Sequence, residues 1–99
     1  RDFTALFCMS DVMAIGAIRA LRDAGLRVPE DVSVVGFDGL PLSSFMVPQL
    51  STVFQSAQVM AQRGVDILLD RIENGGPPCW EFVPYSLYQR ESTRRIDDD

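Results

Sequence analysis

Two short apolar runs, Phe3 to Met9 and Val32 to Phe37, bracket a segment with helix punctuation at both ends, and nothing else in the chain narrows the fold as much. Phe-Thr-Ala-Leu-Phe-Cys-Met is rich in strand formers, Val-Ser-Val-Val-Gly-Phe repeats that character, and both read as strands of a parallel sheet covered on both faces. Between them Ser10 and Asp11 offer N-cap oxygens to the orphan N–H groups of a helix, and Gly25 followed by Pro29 supplies the stop, so a helix is predicted from about Asp11 to Ala24. Strand, helix, strand with short connections is a βαβ unit, which brings both strand C-termini to one sheet edge. Ser10, after the first strand, and Asp38, after the second, are therefore expected near each other.

At about 100° per residue, Met13, Ala17, Ala20, Leu21 and Ala24 gather on one side of the first helix and are expected to cover the sheet. The opposite side carries Arg22 but also Ile15 and Ile18, which reads either as scattered exposure or as a partner surface. From Leu40 to Leu50 two prolines forbid a regular helix, so this is a loop with room for one helical turn. Ser51 to Phe54 reads as a short extended piece. A second helix is predicted from about Ser56 to Glu73, with Ala57, Ala61, Gly64, Val65, Leu68, Leu69 and Ile72 on one face, packed on a sheet. Asn74-Gly75-Gly76-Pro77-Pro78 ends it, Glu81 to Gln89 reads as a strand kept to a sheet edge by Pro84, and Arg94 to Asp99 reads as a frayed polar tail. The fold class is α/β.

A formal charge of -5 argues against this piece gripping phosphates, because nucleic-acid affinity comes largely from clustered Lys and Arg. No apolar run approaches the roughly 20 residues that span a bilayer, no signal-peptide pattern is visible, and the expected location is cytoplasmic. Arg1 stands where an initiator Met would, so the sequence reads as the middle of a longer polypeptide. Cys8 and Cys79 are far apart, with no CxxC motif and no His, and are expected to be unpaired reduced thiols.

Without His, the usual Ser-His and Cys-His nucleophile pairs are impossible within these residues. Gly36-Phe37-Asp38-Gly39 lacks the Gly spacing and the Lys of a phosphate-cradling loop. Asp11, Asp31 and Asp38 are too scattered for a metal set and read instead as a cap, a turn and a strand-end ligand group, so neither metal nor cofactor is expected. What remains is position: in open α/β sheets ligands bind beyond the carboxyl ends of the strands, where Ser10 and Asp38 are expected. A carboxylate accepts hydrogen bonds from two vicinal hydroxyls, which suits Asp38 to a sugar or nucleoside; alternatively, Ser10 only caps the helix and Asp38 only starts a turn.

Four motifs then occur in order: Ser10-Asp11-Val12-Met13-Ala14-Ile15-Gly16-Ala17, Gly25 through Asp38, Leu50-Ser51-Thr52-Val53-Phe54-Gln55, and Arg90-Glu91-Ser92-Thr93. From nearly the first residue to about Arg94 the chain resembles the C-terminal part of the effector-binding domain of LacI/GalR-family transcription regulators. The resemblance implies a periplasmic-binding-protein-like fold of two α/β lobes with a small-molecule effector in the cleft between them, of which this chain is an incomplete portion. Residues 1–55 would belong to the C-terminal lobe, 56–79 would hold the helix that crosses to the N-terminal lobe, 80–94 the returning strand and 95–99 the polar tail.

The resemblance also implies ligand contacts at Ser10, Asp38 and Gln55, and a homodimer surface of Ile15, Ile18, Phe45 and Met46. Ser10 stands where Asn is frequent and Gly39 where a second acid is frequent, which leaves the effector's identity open. Operator DNA would be contacted only through an N-terminal helix-turn-helix absent from these residues. The expected function is sensing of a sugar or nucleoside-like effector together with dimerisation, with no catalysis. The alternatives are an exported sugar-binding protein of an uptake system and a small self-contained α/β enzyme or flavodoxin-like module.

Overall fold

The computed structural model describes residues 2–97. In chain order the elements are β1 (Ala5–Phe7), α1 (Asp11–Asp23), β2 (Ser33–Asp38), a 3-10 turn (Pro41–Ser44), β3 (Ser51–Gln55), α2 (Ala57–Asn74) and β4 (Tyr85–Tyr88). The strands form one sheet in the order β1-β2-β3-β4. The first three strands are parallel, with Phe7 opposite Val35, Val35 opposite Ser51 and Asp38 opposite Phe54, and β4 runs antiparallel to β3 at the far edge. This is the α/β arrangement expected, and it brings the carboxyl ends of β1, β2 and β3 to one sheet edge.

Ser10 caps α1, its Oγ accepting the Met13 N–H at 3.1 Å. Because strand side chains alternate between faces, Val34 and Gly36 turn together toward α1. Val32, Val34 and Leu50 join Cys8, Ala14 and Ile18 in the core, with Leu6, Ala17, Leu21, Leu26, Val28 and Met46 packed around it. Gly36 is required by this contact: a Cβ there would collide with the Asp11 carboxylate and approach Leu50 Cδ2 to 2.9 Å.

The face of α1 that meets the sheet is only partly the expected one: Ala17 and Leu21 pack against the core as expected. Ala14 and Ile18 are buried, whereas Met13, Ala20 and Ala24 are exposed. Small and apolar residues occur on nearly every side of this helix, so periodicity alone does not select a face. Ile18, assigned from sequence to the outer surface, is only 5% exposed and belongs to the core of this chain. The expectation that β1 is covered on both faces is also corrected: it stands at the sheet edge and leaves Phe7 exposed.

α2 is N-capped by Ser56, whose Oγ accepts the Val59 N–H at 3.2 Å. It buries no residue. Val65, Leu68, Leu69 and Ile72, expected to pack on a sheet, are exposed, so their face finds no cover among the described residues. The segment after α2 is held to it by Arg63, whose Nε and Nη2 donate to the two Glu81 carboxylate oxygens at 2.7 and 2.8 Å. That pairing holds the Glu81 carboxyl below its ordinary range, hydrogen bonding being the main cause.

The polar segment after β4 is built into the sheet. Ser92 is completely buried. Its Oγ donates to the Val34 carbonyl at 2.6 Å and accepts the Ser51 N–H at 2.8 Å. Its backbone carbonyl accepts the Val34 N–H and its N–H donates to Gln49, both at 2.9 Å. Arg94, read from sequence as the start of a frayed tail, donates through Nε to the carbonyls of Pro29 and Glu30 and through its N–H to Ser33 Oγ. The final two residues of the expected polar tail, Asp98 and Asp99, lie outside the described residues.

Candidate ligand site

β2 ends at Asp38 with φ 118°, a left-handed conformation for a side chain that has a Cβ, and Gly39 follows at φ 75°. Gly39 is irreplaceable for a second reason: a Cβ would come within 2.9 Å of the Phe54 Cβ and 3.1 Å of its Cα. The chain thus reverses tightly against β3 directly after Asp38. β3 ends one register position beyond the partner of Asp38, at Gln55, and α2 begins at Ala57.

Asp38, Gln55, Leu40, Ala57 and Met60 enclose an open recess of about 460 Å³. Among the described residues neither the Asp38 carboxylate nor the Gln55 carboxamide has a hydrogen-bond partner. One wall of the recess is apolar and the other presents an acceptor-only carboxylate and an amide that both donates and accepts. Two of the three sequence-predicted contacts are therefore brought together. Ser10 lies at the same edge, after β1, but does not line this recess, and its oxygen is engaged by the α1 N-terminus while its hydroxyl proton remains free to donate.

Asp11, read from sequence as a cap, is instead the buried centre of the edge. It is completely enclosed. One carboxylate oxygen accepts the Thr52 hydroxyl at 2.6 Å and the other accepts the Leu40 N–H at 2.8 Å. A buried charge needs such partners, and the first turn of α1 adds the positive end of the helix dipole. Asp11 thereby joins α1, the segment after Asp38 and β3. Thr52 is 41 positions away and Leu40 is 29, so no local pattern in the sequence shows this link.

On the β4 side, Phe54 stacks on Tyr88 with ring centroids 5.0 Å apart, and the Arg90 guanidinium lies 5.2 Å from the Tyr88 centroid. Arg90 Nη1 also donates to Ser43 Oγ and to the Leu50 carbonyl, bracing the 3-10 turn. Farther along this connection Phe45 is exposed, and Met46 and Val47 lie against Ile15 and Ile18 in a shallow groove on the outside of α1. Cys8 is buried and Cys79 exposed, and neither is in a disulfide. No group of three or more His, Cys, Asp and Glu side chains that could hold a metal ion occurs among the described residues, and no helix of the described residues is long and apolar enough to cross a membrane.

The parallel strands thus deliver unpartnered polar side chains to a recess at the sheet edge where ligands bind in open α/β folds. The chain belongs to the periplasmic binding protein-like domain family, whose model matches residues 2–93, and within it to the LacI-type regulators. It is 53% identical over 83 residues to the HTH-type transcriptional regulator MalR of Streptomyces coelicolor, covering 84% of this chain and 24% of that protein. The Lac repressor dimer bound to operator and the anti-inducer ONPF superposes with a TM-score of 0.81 at 39% identity, over 91% of this chain and 32% of the repressor chain. The complex of the transcriptional regulator CelR with cellobiose superposes at 0.82 and 37% identity, over 92% of this chain and 28% of CelR. The chain thus spans about a quarter of the length of the curated relative and about a third of the repressor chain.

Proposed function

We propose that this chain is the effector-contacting and dimerising segment of a LacI-type transcription regulator that acts in the cytoplasm on a neutral, hydroxyl-rich effector, a sugar or a nucleoside. The observation that carries the reading is that Asp38 and Gln55 share one recess and are both without a protein partner. Two vicinal hydroxyls can donate to the Asp38 carboxylate, while the Gln55 amide reads a third polar group. Leu40 and Met60 supply an apolar wall for the C–H face of a ring. Ser10 contributes its hydroxyl from the adjacent strand end. The recess has no Lys or Arg in its lining, which disfavours an anionic ligand.

Ile15, Phe45 and Met46, with Ile18 behind them, form the dimer surface in this reading, and α2 crosses to an N-terminal lobe that covers its apolar face. Operator binding resides in a helix-turn-helix outside these residues. The effector then acts by unequal affinity for two arrangements of the lobes. Because the relatives are HTH-type regulators, an exported uptake protein is not favoured, and the coding sequence upstream separates the two directly.

The test is isothermal titration of the full-length protein against neutral mono- and disaccharides and nucleosides, repeated with Asp38→Ala. The substitution is expected to weaken binding by about 3 kcal/mol, roughly a hundredfold, because charge-assisted bonds to ligand hydroxyls are lost. Unchanged affinity would remove Asp38 from the site.

A further inference from the structure

Asp38 holds a backbone conformation that its own residue type disfavours, so something must fix it, and nothing bonds to its side chain among the described residues. The nearest restraint is on Leu40, two residues on, whose N–H is taken by the Asp11 carboxylate, itself anchored by the Thr52 hydroxyl on β3. We infer that Asp11 is a positioning residue for the ligand recess, holding the turn after β2 so that the Asp38 carboxylate stays beside Gln55, although Asp11 itself does not line the recess. The inference rests on the proposed role of Asp38 in effector binding.

The chemistry of the contact distinguishes the possible substitutions. Both carboxylate oxygens accept, one from an amide and one from a hydroxyl. Asn in place of Asp11 keeps the essential arrangement, because its Oδ1 can accept the Leu40 N–H and its Nδ2 can donate to Thr52 Oγ1, which accepts as well as donates. Ala keeps neither. Thr52→Val leaves the Leu40 bond but removes the anchor of the carboxylate on β3.

Hydrogen exchange of the full-length protein, read by mass spectrometry on a peptide spanning residues 38–43 and on one spanning 32–36, separates positioning from general support. In Asp11→Ala the first peptide is expected to exchange at least tenfold faster while the second is unchanged; Asp11→Asn is expected to stay within threefold on both. Should Asp11→Ala not fold, Thr52→Val carries the measurement, with an expected acceleration of several-fold confined to residues 38–43. Equal acceleration of both peptides, or of neither, in the variant measured overturns the inference.

Titration with cellobiose and with ribose then tests the link to function. The Asp11→Ala or Thr52→Val variant should bind at least fivefold more weakly than the unsubstituted protein, and the same change made on top of Asp38→Ala should have no further effect. An equal loss in both backgrounds overturns the positioning role. Failure of Asp38→Ala to weaken binding, or of both sugars to bind the unsubstituted protein, counts against the functional reading, and the exchange result then decides the geometry alone.

Discussion

The residues that decide this site do so mostly through backbone rather than side chain. Gly39 combines a positive φ with a neighbour that leaves no space for a methyl group, so Gly39→Ala is expected to cost on the order of 2–4 kcal/mol, measured by urea denaturation. Cys8 gives a second outcome at this scale. Burial pushes its thiol pKa up, which means the folded chain keeps the proton longer than the unfolded chain does. Its contribution to stability is therefore complete below the ordinary thiol range and is lost as pH rises through the elevated value. Denaturation midpoints should fall on the alkaline side, less so in Cys8→Ala. An aromatic disulfide reagent should modify Cys79 rapidly and Cys8 only on unfolding. Asp38 was readable from sequence because it closes a strand with a polar residue, and Gln55 was expected only from the family resemblance, whereas the importance of Asp11 was not legible, since its partners are assembled only when three elements meet.

The order of strands and helices was legible wherever local chemistry is strong. Ser10 and Ser56 cap the helices as their positions suggest, and Gly75 closes α2 with a positive φ. Orientation was less legible. α1 offers apolar or small residues in almost every direction, and which of them is buried depends on Gly36 making room for the start of the helix. The stripe on α2 was correctly seen as apolar, but a stripe does not say what lies opposite it. The segment Arg90 to Thr93, visible in the sequence only as a motif, is a structural strap, because the Ser92 hydroxyl links β2 to β3. Ser92→Ala leaves the Ser51 N–H and the Val34 carbonyl without that hydroxyl in a buried place. A loss of about 1–3 kcal/mol is expected, read from the urea midpoint, with Ser44→Ala on the exposed side of the 3-10 turn as the nearly neutral control.

As a whole the molecule is long, with principal extents of 59 × 28 × 19 Å and a radius of gyration of 17.8 Å. A compact chain of about 100 residues has a radius near 13 Å, and the excess follows from α2, which buries nothing. Small-angle scattering of this chain at low concentration should return a radius close to 17.8 Å rather than the compact value. Light scattering should reveal association as concentration rises, because apolar patches of this size seek cover. The strap at Ser92 has a consequence for synthesis. A ribosome releases β2 long before residue 92, so for that interval Val34 and Ser51 lack a partner that only later translation delivers. The sheet can finish assembling only after residue 92 has emerged, and a stalled nascent chain arrested before that serine should remain protease-sensitive across β2 and β3, whereas one arrested well beyond it should resist.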